Sequence, residues 1–110
     1  MKVTIKKQLE IYIDEHGRVP FVMWLESLKD KTVRYRIKER LDRIALGNLG
    51  DFKRINGSLG ELRCNFGAGY RIYYGEIGRK IVLLLCCGSK STQKRDIKQA
   101  MKYWKDYLSR

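Results

Sequence analysis

The seven residues "IVLLLCC", 81–87, constrain the fold more than any other stretch of the chain. An unbroken apolar run of this length, bounded by glycine-bearing turns, reads as a buried strand, since a membrane span needs roughly 18 apolar residues or more. Strand alternation puts Val82, Leu84 and Cys86 on one face, and Ile81, Leu83, Leu85 and Cys87 on the other. Both faces are apolar, so both must be covered, and the strand is expected at the centre of a sheet.

The neighbouring segments supply the rest of such a sheet. "FKRI" (52–55), "ELRCNF" (61–66) and "YRIYYGE" (70–76) carry strand composition and are joined by "NGSLG", "GAG" and "IGR". Connections that short join antiparallel neighbours. An earlier strand is expected over 8–13, where Leu9, Ile11 and Ile13 alternate. "DEHGR" ends it, and the lone His16 there reads as a turn residue.

Helices read from a different period. Pro20 suits a first helical turn, and Phe21, Trp24, Leu25 and Leu28 share one face after it. A second helix is expected over 33–46, with Val33, Ile37, Leu41 and Ile44 as its apolar stripe, Asp30 or Thr32 as cap and Gly47 as its end. Its arginines at 34, 36, 40 and 43 suit either a solvated surface or a surface for an acidic partner. In the C-terminal segment Ile97, Met101, Trp104 and Leu108 mark a third helix, capped by Ser91 or Thr92. The sum is an α+β chain of order β-α-α-β-β-β-β-α over one domain, 1–110.

Charge narrows the partners. The net charge is +12, with 11 basic against 7 acidic residues in 1–50 and 13 against 5 in 51–110. Such an excess favours a polyanion, and the second half is the better candidate for its surface. Cys64, Cys86 and Cys87 show no metal-ligand or disulfide spacing and read as reduced thiols of a cytoplasmic protein. No signal peptide or membrane span is read, and no metal or other cofactor is expected.

Alternation also brings basic side chains together. Glu61, Arg63 and Asn65 share one strand face, and Arg71 and Tyr73 share another. Pairing through the "GAG" turn places Arg63 near Arg71, with Lys53 or Arg54 alongside and Lys90 past the end of the apolar strand. Such a surface suits an RNA backbone, and tyrosines beside it can stack on bases. The plainer reading is that Arg71 pairs with Glu61 or Glu76 and that Tyr70, Tyr73 and Tyr74 fill ordinary strand positions. "GAGY" lacks the lysine and the following helix of a phosphate loop.

"LGNLGDFKRINGSLGELRCNFGAGYRIYY" followed by "IVLLLCCGSKSTQKRDI" resembles the RelE/ParE superfamily of toxins from bacterial toxin–antitoxin modules, in its HigB-like addiction-module killer branch. "VPFVMWLESLKD" and the C-terminal helix extend the resemblance over almost the whole chain. It implies a microbial-RNase-like fold with two N-terminal helices on a twisted antiparallel sheet. It implies an mRNA endoribonuclease, acting in many relatives at the ribosome, in which the ribose 2′-OH attacks the adjacent phosphorus without a metal. Carried over, the catalytic set is Arg71, Arg63, Lys90 and Tyr73, with Arg71 on the scissile phosphate. The RNA-binding set is Lys53, Arg54, Lys94, Arg95 and Lys98, and Tyr103 or Tyr107 is an alternative base-stacking residue. No histidine lies in the sheet or the C-terminal segment, unlike some ribosome-dependent members. A lysine among like charges, or ribosomal RNA, is then the expected proton acceptor. The implied partners are mRNA, the ribosome and an antitoxin, often a helix-turn-helix protein. The same fold also serves gyrase poisons of the ParE type and RNA binders that do not cut.

Overall fold

The computed structural model describes residues 5–110. Strand β1 (Gln8–Ile11) leads to helix α1 (Pro20–Ser27) and helix α2 (Lys31–Ala45). Four strands follow: β2 (Phe52–Asn56), β3 (Leu59–Cys64), β4 (Tyr70–Ile77) and β5 (Ile81–Gly88). A 3-10 turn at Lys90–Thr92 then opens helix α3 (Gln93–Leu108). Among the described residues this is an α+β architecture of three helices and one five-stranded mixed sheet.

The sheet order is β1-β5-β4-β3-β2. β2 to β5 form an antiparallel meander, as their short connections require. β1 instead pairs parallel to β5, with Leu9 opposite Val82. The wholly antiparallel sheet expected from sequence is therefore corrected to a mixed one. Short turns dictate orientation, whereas β1 and β5 are separated by the whole intervening chain, which leaves their relative direction open.

β5 is an interior strand with helices over both faces. One layer packs Phe21 of α1 and Ile37 and Ile44 of α2 against Leu62, Ile72, Tyr74, Val82 and Leu84. The other packs Ala100 and Trp104 of α3 against Leu59, Tyr73, Leu83 and Leu85. Each large side chain so buried contributes ~1.5–3 kcal/mol. Gly75 lies directly under the Trp104 ring, where a Cβ would overlap it.

The face assignment within β5 needs one correction. Tyr73 pairs with Cys86 but Tyr74 pairs with Leu84, so Leu85 is an extra residue and the strand bulges there. Beyond the bulge the alternation shifts by one. Cys86 joins Leu83 and Leu85 under α3, and Cys87 joins Val82 and Leu84 under the N-terminal helices. Strict alternation had put each cysteine on the opposite side.

Local boundaries follow side-chain chemistry. α2 begins earlier than its apolar stripe because the Asp30 carboxylate accepts from the Thr32 N–H at 2.8 Å. β3 begins at Leu59, because Gly57, at φ +57°, lets the chain reverse within two residues. Among the described residues, no helix is long and apolar enough to cross a membrane.

Candidate functional site

The face of the sheet under the N-terminus of α3 carries a polar cluster. Ladder register builds it: Arg63 lies opposite Arg71, and Glu61 lies opposite Tyr73. Arg71 in turn lies opposite Gly88 at the end of β5. A Cβ on Gly88 would overlap the Asp96 carboxylate, so this glycine lets the first turn of α3 close down on the sheet.

Glu61 is the hub. Its side chain is 1% exposed, and its oxygens lie 3.4 Å from Arg63 Nε and 3.7 Å from Arg71 Nε. Gln93, the first residue of α3, donates its Nε2 to Glu61 Oε1 at 2.8 Å. One buried carboxylate therefore offsets two arginines that would otherwise repel across the ladder. Arg71 is held further by donating Nη1 to the Gly69 carbonyl. The Lys90 N–H donates to the Ala68 carbonyl at 3.3 Å, which ties the 3-10 turn to the β3–β4 turn.

Among the described residues, Arg71 Nε and the Tyr73 hydroxyl are buried donors without a partner of ordinary hydrogen-bond geometry, and the Glu61 carboxylate faces both. Burial, then the Glu61 and Asp96 carboxylates, hold the Tyr73 hydroxyl well above its ordinary pKa. It therefore stays protonated and keeps its capacity to donate.

The residues expected from sequence separate into groups. Arg63, Arg71 and Tyr73 come together, with Lys90 at the rim and its side chain exposed. Tyr73 is fully buried, so the expectation that it stacks on a base is corrected: α3 covers it. Tyr103 packs on Tyr12 at 4.9 Å between ring centroids, and Tyr107 stacks on Trp104. Lys53 lies opposite Glu61 in the β2–β3 ladder and is exposed on the cluster's side. Arg54 is one residue on and faces the other side of the sheet, 3.9 Å from Glu76. Lys94, Arg95 and Lys98 are exposed on α3, with Arg95 3.5 Å from Asp96. Arg71 pairs with Glu61 and not with Glu76, which Lys7 and Arg54 engage.

The plainer sequence reading paired Arg71 with Glu61, as the structure has it; what it missed is that Glu61 is buried and also holds Arg63, and that Asp96 is buried. Asp96 is 7% exposed and accepts from Thr92 Oγ1. The signals were present: Glu61 and Arg63 are two apart on a strand, and Thr92, at the N-cap of α3, is four residues before Asp96. Gln93 carries no such signal, because only the docking of α3 brings it to Glu61.

No family model matches the sequence. A protein of Haemophilus influenzae, described as an "Uncharacterized protein", is 45% identical over 80 residues. The aligned region covers 73% of this chain and 81% of that protein. By that similarity the chain belongs to the same family as the Haemophilus protein.

Proposed function

We propose that the chain is the toxin of a toxin–antitoxin module, with a RelE-like fold and endoribonuclease activity on mRNA at the ribosome. The observation that carries this reading is the Arg63–Arg71 pair across the ladder, held by the single Glu61 carboxylate with side chains 35% and 13% exposed. An RNA phosphate has the oxygens to accept from the donors these two guanidinium groups leave at the surface. Lys53 and Lys90 at the rim, with Lys94 and Arg95 on α3, add the positive potential that draws RNA in.

The chemistry is transfer within the RNA. The 2′-oxygen bonds to phosphorus as the bond from phosphorus to the 5′-oxygen breaks. The 2′-proton leaves to a base, and the 5′-oxygen takes a proton. Arg71, and Arg63 beside it, stabilise the extra charge on the equatorial oxygens. Glu61 fixes the arginines in position. Gln93 is half-buried over Glu61 and must swing aside for RNA to enter.

The antitoxin is assigned a separate surface. A groove of about 470 Å³ lies between α3 and the sheet, floored by Leu59, Trp104 and the exposed Met101 and Leu108. Lys98, Lys102 and Lys105 line it, which suits an acidic amphipathic helix. Its place in the cytoplasm with the ribosome belongs to the same proposal.

Primer extension on cellular mRNA after induced expression tests the activity. Codon-phased cuts with the wild type, absent in Arg71→Gln, support the reading. Absence of cuts together with gyrase-linked DNA breaks would replace it with a gyrase poison. RNA binding without cuts would make it a non-cleaving RNA-binding module.

A further inference from the structure

A second cationic site lies behind the β3 strand, away from the Glu61 cluster. Arg36, Arg40 and Arg43 follow one another at spacings of four and three on α2 and form a single stripe. With Arg63 they line a cavity of about 260 Å³ at the junction of α2, the loop at 48–51 and the end of β3. Like charges at these spacings oppose helix formation. Among the described residues, no carboxylate lies within 4.0 Å of Arg36, Arg40 or Arg43. Glu39, which lies between Arg36 and Arg43 on the helix and lines a neighbouring pocket with them, offsets this repulsion only from beyond ion-pair distance.

Arg40 makes the cavity a built feature. It is only 5% exposed, yet its partners are neutral carbonyls. Nη2 donates to the carbonyls of Leu49 and Asp51, and Nε reaches that of Arg63 at 3.4 Å. A buried cation whose contacts carry no negative charge retains its attraction for an anion. Burial, and then Arg43, pull its pKa below the ordinary arginine value, a strain that a bound anion relieves. Gly50, at φ +61°, has no side chain, and a Cβ there would sit about 3.0 Å from Arg40 Nη1. Arg36 is held over the Phe66 ring, 4.2 Å from its centroid, which fixes a guanidinium at the mouth.

One acid lines the cavity, Asp51, and it is already engaged. Its Oδ2 accepts from Asn65 Nδ2 at 3.0 Å, and its Oδ1 lies 4.0 Å from Arg63. Arg36, Arg40 and Arg43 against one occupied carboxylate leave an anion-attracting space, the Arg63 guanidinium being already engaged by Glu61 and Asp51. The volume exceeds several waters at roughly 30 Å³ each, so a phosphate with part of its sugar fits.

We propose that this cavity binds a backbone phosphate of single-stranded RNA, held by Arg36, Arg40 and Arg43. Arg63 lies on the wall shared with the Glu61 cluster, so one strand can occupy both places. The site then fixes the register of the RNA relative to Arg71. The idea of a continuous strand rests on the RNA-cleaving reading above, but binding at the cavity is measurable without any cleavage.

The test is fluorescence anisotropy with a labelled single-stranded oligoribonucleotide across a salt series. Arg36 and Arg43 are exposed, so the double variant Arg36→Gln/Arg43→Gln keeps the fold. The control, Lys31→Gln/Lys38→Gln, removes the same charge from another face of α2. We expect the arginine pair to weaken binding about tenfold and to flatten the log–log salt slope by roughly 0.7, the value for one lost phosphate contact. The lysine pair should change affinity less than twofold. Equal weakening by both pairs would mean diffuse charge attraction and would overturn the site, as would no weakening by either. Inorganic phosphate is the second probe. Tight phosphate binding, lost in the arginine variant and not displaced by the oligonucleotide, would reassign the cavity to a small anion and overturn the RNA proposal. RNA binding that responds as expected in a chain that never cuts mRNA would leave the cavity standing and remove only the nuclease.

Discussion

Arg63 and Arg71 face each other across the β3–β4 ladder, and the buried carboxylate of Glu61 lies within 3.7 Å of both. Two cations opposite one another are destabilising in a sheet, so the carboxylate between them is part of the fold as well as the site.

Glu61→Gln should therefore be costly although it keeps the side chain's shape. It leaves Arg71, whose side chain is 13% exposed, without its counter-charge. We expect a loss of about 2–4 kcal/mol, or roughly 10 °C or more in Tm, measured by thermal unfolding. An unchanged Tm would mean that solvent already screens Arg71 and that Glu61 is not the hub.

Alkaline pH should unfold the protein earlier than exposed groups alone require. Burial pushes the Cys86 thiol up to about 12, and it also raises Cys64, Cys87, Tyr73 and Tyr74. Each group is raised in the folded state, so its contribution is complete below the unfolded pKa, near 8.5 for cysteine and near 10 for tyrosine. That contribution is lost as pH rises through the folded values. Urea midpoints should hold steady up to about pH 8 and fall between about pH 9 and pH 12. In the native state near neutral pH all three thiols should react slowly with a thiol reagent, and all should react quickly in denaturant. Rapid native modification of Cys86 would contradict the burial described.

Arg40→Met should also destabilise, for a reason unconnected with RNA chemistry. The carbonyls of Leu49, Asp51 and Arg63 lose their donor together. A decrease of about 2–4 kcal/mol in urea unfolding is expected. A value within the usual surface range of about ±0.5 kcal/mol would show that water satisfies these carbonyls.

Much of this was legible in the residues, and the exceptions have physical causes. Period and turn length gave the element order, since alternation in 70–76 and the apolar stripe from Val33 to Ile44 leave little choice. They also gave the Arg63–Arg71 pairing, because a turn links the two strands directly. The parallel β1–β5 pairing was hidden, because no short connection fixes it. The bulge at Leu85 was hidden too, since an all-apolar run carries no alternation to break. The site's acidic hub was underread because Glu61 beside Arg63 looks like an exposed ion pair until α3 covers it. The Arg40 cavity depends on the path of residues 48–51, which helix periodicity on α2 does not describe.

The chemistry of the cut RNA ends tests the central claim most directly. Ribosomes programmed with a defined message are incubated with the purified protein, and the fragments are labelled by polynucleotide kinase with and without prior phosphatase. Attack by the 2′-oxygen leaves a 5′-hydroxyl on the downstream fragment. Wild-type fragments should label without phosphatase, and on the order of a hundredfold fewer should form with Arg71→Gln. Fragments that label only after phosphatase treatment, or equal cleavage by the Arg71→Gln variant, would contradict it.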